Sequence, residues 1–504
     1  MRSDSPHPIR VLVLVRVPSC AKELWPIVEA LRDSGRYRCV VVIGSEVMAW
    51  KKITAGIVQR YSNDGFRVVD YSGRQMQADE VLGAAEPPSA STPTLGRTFK
   101  NAAHRLAYSW IGRVLGIAFA KDFMSALRRY QKEMGVADSL IAQERPEILL
   151  MQENDNLFME AFLTKAALRQ GIPILMVPAT DYGQAPYARM QTLLANGKSS
   201  EIDLRQFSNK AVGWLCPRWV QTYRGVRMLR YPAPVSLAAW CLGLTSMNFW
   251  FPHSWVTKRA VLCERTQENI QKNQDFQSSQ LVVTGQAALD QVYQTFQSAP
   301  QKRREIFSSL GLEPDRRTVL FSVPPLVPHG ILTMPEQLAF VESILQSTSE
   351  LPDIQTILSL HVGADKADYA PLTHKYNVVI ADGMDVRELA ALCDLFICVL
   401  SSIVWTAIAC QKPILSLDFW FGGHLSYYEC PGVVFVNKKE EVRPILRRLL
   451  TDPVYDQDLR DQLKAAAPVW ATCFDGRATE RTVALLDEMT GQKVGLYAVA
   501  ATGS

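Results

Sequence analysis

Apolar positions come in two alternating textures along the chain. IRVLVLVRV (9–17) is an almost unbroken β-branched run, AKELWPIVEALRDSGR (21–36) repeats apolar residues at helical spacing and stops at Gly35, and CVVVIGS (39–45) is a run again. Strands buried on both faces read as runs rather than alternations, so this is a β-α-β unit in a parallel sheet, with a right-handed crossover. The texture returns with PEILLMQEND (146–155), the helical FMEAFLTKAALRQG (158–171) and IPILMVPA (172–179), while residues 91–145 read as long helices rich in Arg and Lys.

A second set begins near residue 280. QLVVTG leads into the helical QAALDQVYQTFQ, and RTVLFSVPP into a helix around PEQLAFVESILQS. IQTILSLHV, YNVVIADG and VRELAALCDLFICVL follow, and DGRATERTVALLDEMTG (475–491) reads as a last helix with Arg477 and Arg481 on one side. The expectation is an α/β protein of two doubly wound, Rossmann-like halves. We place an N-terminal domain at 1–265, a C-terminal domain at 266–470, and a helix and tail at 471–504.

In an open parallel sheet, ligands bind beyond the carboxyl ends of the strands. His361, the loop Pro324 to Gly330, and Ser401-Ser402 all follow expected strands and therefore share one edge. In CDLFICVLSSIVWTAIACQKPILSLDFW (393–420) the serines stand where a buried strand ends and a helix is expected to start. A helix beginning there offers unpaired N–H groups, the positive end of its dipole and two hydroxyls, which together cradle a phosphate without a glycine-rich loop. A plain N-cap is the competing role for either serine.

These motifs resemble those of GT-B fold glycosyltransferases, more narrowly the bacterial surface-polysaccharide enzymes: polysialyltransferases, capsule Kdo transferases and CDP-glycerol transferases. The resemblance rests on SLHV at His361, VLSSIVW at Ser401-Ser402, QKPILSLDF around Pro413 and DGRATERTVALL from Asp475. It covers about residues 280 to 490. VVTGQAALDQV also resembles a segment of UDP-GlcNAc 2-epimerases, but VRVPSCAKE and VPATDYG lack the GTRPE-like and EAGLR-like carboxylate motifs of that family. The resemblance implies a GT-B fold and a glycosyltransferase that takes its sugar from a nucleotide-activated donor. His361, Ser401 and Ser402 would hold the donor phosphate. Two departures stand out. Val362 follows the histidine where the family has proline, and Thr406 occupies the position of the ribose-binding glutamate. A CMP- or CDP-linked donor is therefore favoured over UDP, with Asp418 the next candidate for the ribose. For the base that deprotonates the acceptor hydroxyl, Asp181 in PATDYG and Asp155 in QENDN both follow first-domain strands, and Asp181 is preferred. Either is alternatively a helix cap. No D-x-D-type metal motif stands out, and the expected displacement needs neither metal nor cofactor.

Charge adds a separate feature. Between Leu204 and Cys263 there is no Asp or Glu, while Arg205, Lys210, Arg218, Arg224, Arg227, Arg230, Lys258 and Arg259 alternate with Trp214, Trp219, Trp240, Trp250 and Trp255. The uncharged stretch 231–257 is long enough to span a bilayer. A single span would put the two halves of one cleft on opposite sides of the membrane. We therefore expect an interfacial segment, with Arg224, Arg227, Arg230, Trp240 and Trp250 at an anionic lipid surface, or else an internal interface. Residues 96–132 form a second basic, aromatic stretch.

The remaining composition narrows the class. At 504 residues the chain exceeds one ordinary core. A net charge of +4 with no recognisable nucleic-acid module argues against nucleic acid as a partner. Ten cysteines without a C-x-x-C pair, with Cys39, Cys393, Cys398 and Cys410 among apolar residues, suggest core thiols in a reducing compartment. The first apolar run is too short for a signal peptide. The expectation is a cytoplasmic glycosyltransferase at the inner membrane face, serving surface polysaccharide such as capsule or lipopolysaccharide through a lipid-linked glycan acceptor. The alternatives are a non-hydrolysing 2-epimerase and a non-catalytic assembly subunit of the same fold.

Overall fold

The computed structural model describes residues 7–16, 18–44, 51–83, 116–152, 159–178, 201–223, 225–245, 255–273, 276–328, 330–361, 364–399, 401–420 and 426–491. The strands of the first half are β1 (Ile9–Val15), β2 (Tyr37–Ile43), β3 (Arg67–Asp70), β4 (Ile148–Met151), β5 (Ile174–Met176), β6 (Val220–Tyr223), β7 (Val226–Leu229), β8 (Lys258–Val261) and β9 (Leu281–Val283). Those of the second half are β10 (Arg317–Ser322), β11 (Ile354–Ser359), β12 (Val379–Ile380), β13 (Leu395–Cys398), β14 (Ile414–Leu417) and β15 (Val433–Val436).

Two parallel sheets result. One runs β3-β2-β1-β4-β5-β8-β9 and the other β12-β11-β10-β13-β14-β15, while β6 and β7 form a separate antiparallel hairpin. The apolar runs explain the parallel pairing. In β1, Val11, Val13 and Val15 enter one core and Leu12 and Leu14 the other, all nearly inaccessible. In β10, Val319 and Phe321 face one core and Leu320 the other. Each such side chain contributes roughly 1.5–3 kcal/mol on full burial, so a polar substitution at any of these positions would be costly.

Two elements cross the expected boundaries. β9 lies beyond residue 265, yet it pairs with β8 in the first sheet. The last helix, Ala478–Met489, returns to the first domain, where Val483, Leu485 and Leu486 join the core around β1 and β2. It is fastened there by Asp487, whose carboxylate accepts from the Tyr37 hydroxyl and from Arg36 Nη1, each at 2.5 Å.

The basic region is largely built into the first domain. The helix Ala233–Cys241 packs on the long helix Ile117–Glu144 and on Phe207–Leu215. Only nine residues of the uncharged stretch form this helix, and among the described residues no helix is long and apolar enough to cross a membrane. All ten cysteines are free thiols and eight are buried, Cys39, Cys393, Cys398 and Cys410 among them. Burial pushes these four thiols up to about 12.

Candidate functional site

Each sheet reverses its strand order once. In the first sheet the reversal lies between β1 and β4, in the second between β10 and β13. A crevice opens at such a point beyond the strand carboxyl ends. Arg16 follows β1 and Gln152 follows β4. On the second sheet the loop after β10 and the Ser401 turn after β13 flank the reversal.

At the first reversal, Arg16 Nε lies 2.5 Å from Glu160 Oε1. Glu160 is almost wholly buried near the start of the helix Met159–Arg169. The buried Gln152 Oε1 has no hydrogen-bond partner among the described residues. Gly44, after β2, lets this corner close, because a Cβ there would stand 2.7 Å from Met159 Sδ and 3.2 Å from Arg16 Cα.

At the second sheet, neighbouring strands are about 4.8 Å apart, so the ends of β11 and β13 stand about 10 Å apart across β10. His361 is exposed after β11, and its carbonyl accepts from Ala364 N–H at 2.8 Å. Ser401 is half-buried and Ser402 exposed after β13. The helix expected to start at the serines starts instead at Val404. Ser401 Oγ accepts from Ile403 N–H at 3.2 Å, which folds the serines into a turn ahead of the helix. The Ser401 O–H can still donate outward. Tyr427 steadies this turn by donating to the Val399 carbonyl at 3.3 Å.

Thr406 does not reach the crevice. It is 2% exposed, and every residue of its helix Val404–Ala409 is buried, so the position counted to be ribose-binding belongs to the core. Asp418 follows β14 and is buried too. Burial, with the Asp418 carboxylate beside it, pushes the Tyr428 phenol up. Phe419 and Trp420, packed edge-on against Phe340, hold this strand end. Asp155, Asp181, Arg224 and Trp250 lie outside the described residues.

Sequence reasoning missed the groups that join the two halves. Glu23, in the helix Pro18–Asp33 after β1, accepts from Gln286 Nε2 at 2.6 Å and from Arg387 Nη1 at 2.5 Å. Arg387 also grips Asp385, with Nη2 to Oδ2 at 2.8 Å and Nε to Oδ1 at 3.1 Å, and Asp385 caps the helix Val386–Leu392. One cluster thus ties the ends of β1, β9 and β12. Burial raises the Glu23 carboxyl above its usual range, with Arg387 opposing. Burial acts likewise on Asp385, but the Arg387 guanidinium overrides it and holds that carboxyl low. The local signal was slight: one acid in CAKELW and a D-x-R beside a helix start.

The basic surface also sorts differently from expectation. Arg230 is 9% exposed, with its guanidinium over the Tyr231 ring, and Trp219 is fully buried, so neither meets a lipid surface. Arg227 and Trp240 are exposed. Among the described residues the most exposed aromatics are Phe207 at 86% and Trp214 at 83%, seven positions apart on the helix Phe207–Leu215, with Lys210 exposed between them. Among the described residues, no group of three or more His, Cys, Asp or Glu is placed to hold a metal ion.

No family model and no curated protein matches the chain. Solved structures do match over nearly its whole length. A UDP-GlcNAc 2-epimerase from Neisseria meningitidis bound to UDP-GlcNAc is similar at a TM-score of 0.52 and 12% identity, covering 95% of this chain and 100% of its own. The glycotransferase of kitacinnamycin gives 0.51 and 14%, covering 96% and 99%. The wall teichoic acid polymerase TagF, in a structure soaked with CDPG, gives 0.50 and 11%, covering 95% and 88%. At these identities the likeness speaks for the fold: the chain has the GT-B architecture, two Rossmann-like domains facing across a cleft.

Proposed function

We propose that the chain is a glycosyltransferase that moves a sugar from a nucleotide-activated donor to a glycan acceptor by a single, metal-independent displacement. The observation that carries the reading is the second sheet's crevice edge, where the Ser401-Ser402 turn borders the strand reversal and exposed His361 stands one strand beyond it. Solved structures of this fold named as a UDP-GlcNAc 2-epimerase and as a glycotransferase add support. In this reading the serine hydroxyls and His361 donate to the donor phosphate and stabilise the charge of the departing nucleotide. Asp181, or alternatively Asp155, takes the acceptor proton. With Thr406 in the core, the ribose contact is assigned to Asp418 at the end of β14, and titration decides between a cytidine nucleotide and UDP.

The acceptor is proposed to be lipid-linked, at the inner face of the membrane, in surface-polysaccharide synthesis. Support comes from the helix Phe207–Leu215, whose exposed Phe207 and Trp214 flank exposed Lys210, with exposed Arg218 and Arg227 following in a region free of acids. Aromatics at headgroup level and cations on anionic phosphates suit an interfacial surface.

A calorimetric titration with CMP, CDP, UDP and GDP tests the donor site. Each hydroxyl bond to a charged oxygen is worth roughly 1.5–3 kcal/mol, so Ser401→Ala with Ser402→Ala should weaken binding by more than tenfold. Unchanged affinity would reduce the pair to a turn. The 2-epimerase reading is kept because several solved structures of this fold carry that name. Incubation with UDP-GlcNAc decides it: conversion to the 2-epimer supports that reading, whereas donor hydrolysis or transfer supports the glycosyltransferase. Binding without turnover of any donor would indicate a non-catalytic subunit.

A further inference from the structure

A second concave site lies at the opposite edge of the second sheet. Arg317 opens β10, Asp394 precedes β13 and Lys412 precedes β14, so all three stand at strand amino ends, away from the crevice. The helices Ala299–Ser309 and Pro453–Trp470 flank them and border an open cavity of about 490 Å³.

Five cations and three aspartates line this cavity, and most are paired. Arg303 donates to Asp394 at 2.8 Å and to the carbonyls of Pro314 and Leu392, each at 2.6 Å. Arg317 and Arg460 share Asp456, at 2.7 and 2.9 Å. That leaves Lys412 and Arg304. Neither side chain makes a hydrogen bond or an ion pair among the described residues. The third acid, Asp315, is solvent-exposed. Lys412 is half-buried, and burial pushes its ammonium down, with the Arg460 charge adding to this and the nearby Asp394 carboxylate opposing it. A half-buried cation whose nearest acid, Asp394, is already engaged by Arg303 gains from an added anion.

We infer that this cavity binds a dianionic phosphate group, free or as a phosphomonoester, between Lys412 on the enclosed side and Arg304 on the solvent side. The five cations exceed the three aspartates by two, which matches a dianion, and a phosphomonoester is one near neutral pH. A lysine point charge and an arginine fork are both suited to phosphate oxygens. The cavity exceeds a bare phosphate and leaves room for an organic moiety. The site is separate from the crevice, since the cavity and the serines occupy opposite ends of β13.

Thermal melts and calorimetry of the full chain with inorganic phosphate and with glucose 6-phosphate test the inference, with chloride at equal ionic strength as the control. Phosphate should raise the melting temperature beyond chloride. Lys412→Gln should weaken phosphate binding at least about tenfold, the loss of one charge-assisted contact, and should raise the melting temperature of the phosphate-free protein. Arg304→Gln, at an exposed position that cannot disturb folding, should weaken binding as well, while Ser401→Ala with Ser402→Ala leaves it unchanged. A response equal to chloride, one that survives both the Lys412 and Arg304 substitutions, or one lost in the serine variant would overturn the assignment. Tighter binding of malonate than of phosphate would overturn the ligand class.

Discussion

Replacing Arg387 by leucine should strand Glu23, and the cost can be bounded. Glu23 would keep only the Gln286 amide at 2.6 Å, in a position where its side chain is 12% exposed. Removing one partner of a buried ion pair typically costs about 3–5 kcal/mol. A ceiling applies, because the stranded carboxylate can take up a proton instead. From an ordinary pKa of about 4.3, protonation at pH 7 costs about 3.7 kcal/mol at 1.36 kcal/mol per unit, and less here because burial already raises this carboxyl in the parent protein. Asp385 adds little, since it is 30% exposed and still caps its helix through the backbone N–H of residue 387. The expected loss at pH 7 is therefore about 3 kcal/mol. At pH 5 the same ceiling falls to about 1 kcal/mol. The sign follows from linkage: in the variant the folded-state carboxyl is raised above its unfolded value, so stability is lost as pH rises through that interval. Glu23→Gln in the Arg387→Leu background removes the charge and should recover most of the loss. Urea unfolding followed by tryptophan fluorescence, at pH 7 and pH 5, measures all three quantities. A loss under about 1 kcal/mol at pH 7, a loss independent of pH, or no recovery in the double variant would refute the reasoning.

Two further outcomes are expected. Phe207→Ser with Trp214→Ser should lower partition onto anionic vesicles about tenfold or more without changing the fold, since each aromatic is worth roughly 1.5–3 kcal/mol when buried; charge reversal at Lys210 and Arg218 should remove the salt-sensitive share, and equal partition of all variants would exclude this surface as the membrane contact. Gly432→Ala should lower stability by about 1–3 kcal/mol in a thermal melt, because φ is +84° and the new Cβ would meet Leu463 Cγ at 2.5 Å and Leu459 O at 2.7 Å; an unchanged melting temperature would show that the Pro453–Trp470 helix can shift aside.

The sequence by itself determined the two parallel sheets, because VLVLV and TVLFS must bury both faces and only a helix-covered parallel sheet allows it. It also determined that His361, Ser401 and Asp418 stand at strand carboxyl ends, since each directly follows an apolar run. Tertiary structure alone decided what those positions expose. Thr406 and Arg230 looked accessible by counting and by charge, and both are covered by neighbours distant in sequence. The three-residue β9 carries too little pattern to declare its sheet; pairing with β8 places it. The last helix reads as amphipathic whichever domain receives its apolar face, and Asp487 reaching Arg36 and Tyr37 settles that. Glu23 and Arg387 are 364 residues apart, and nothing local distinguishes them from surface charges. Local pattern records which side chains avoid water, whereas the partner of a buried charge depends on how two finished sheets come to face each other.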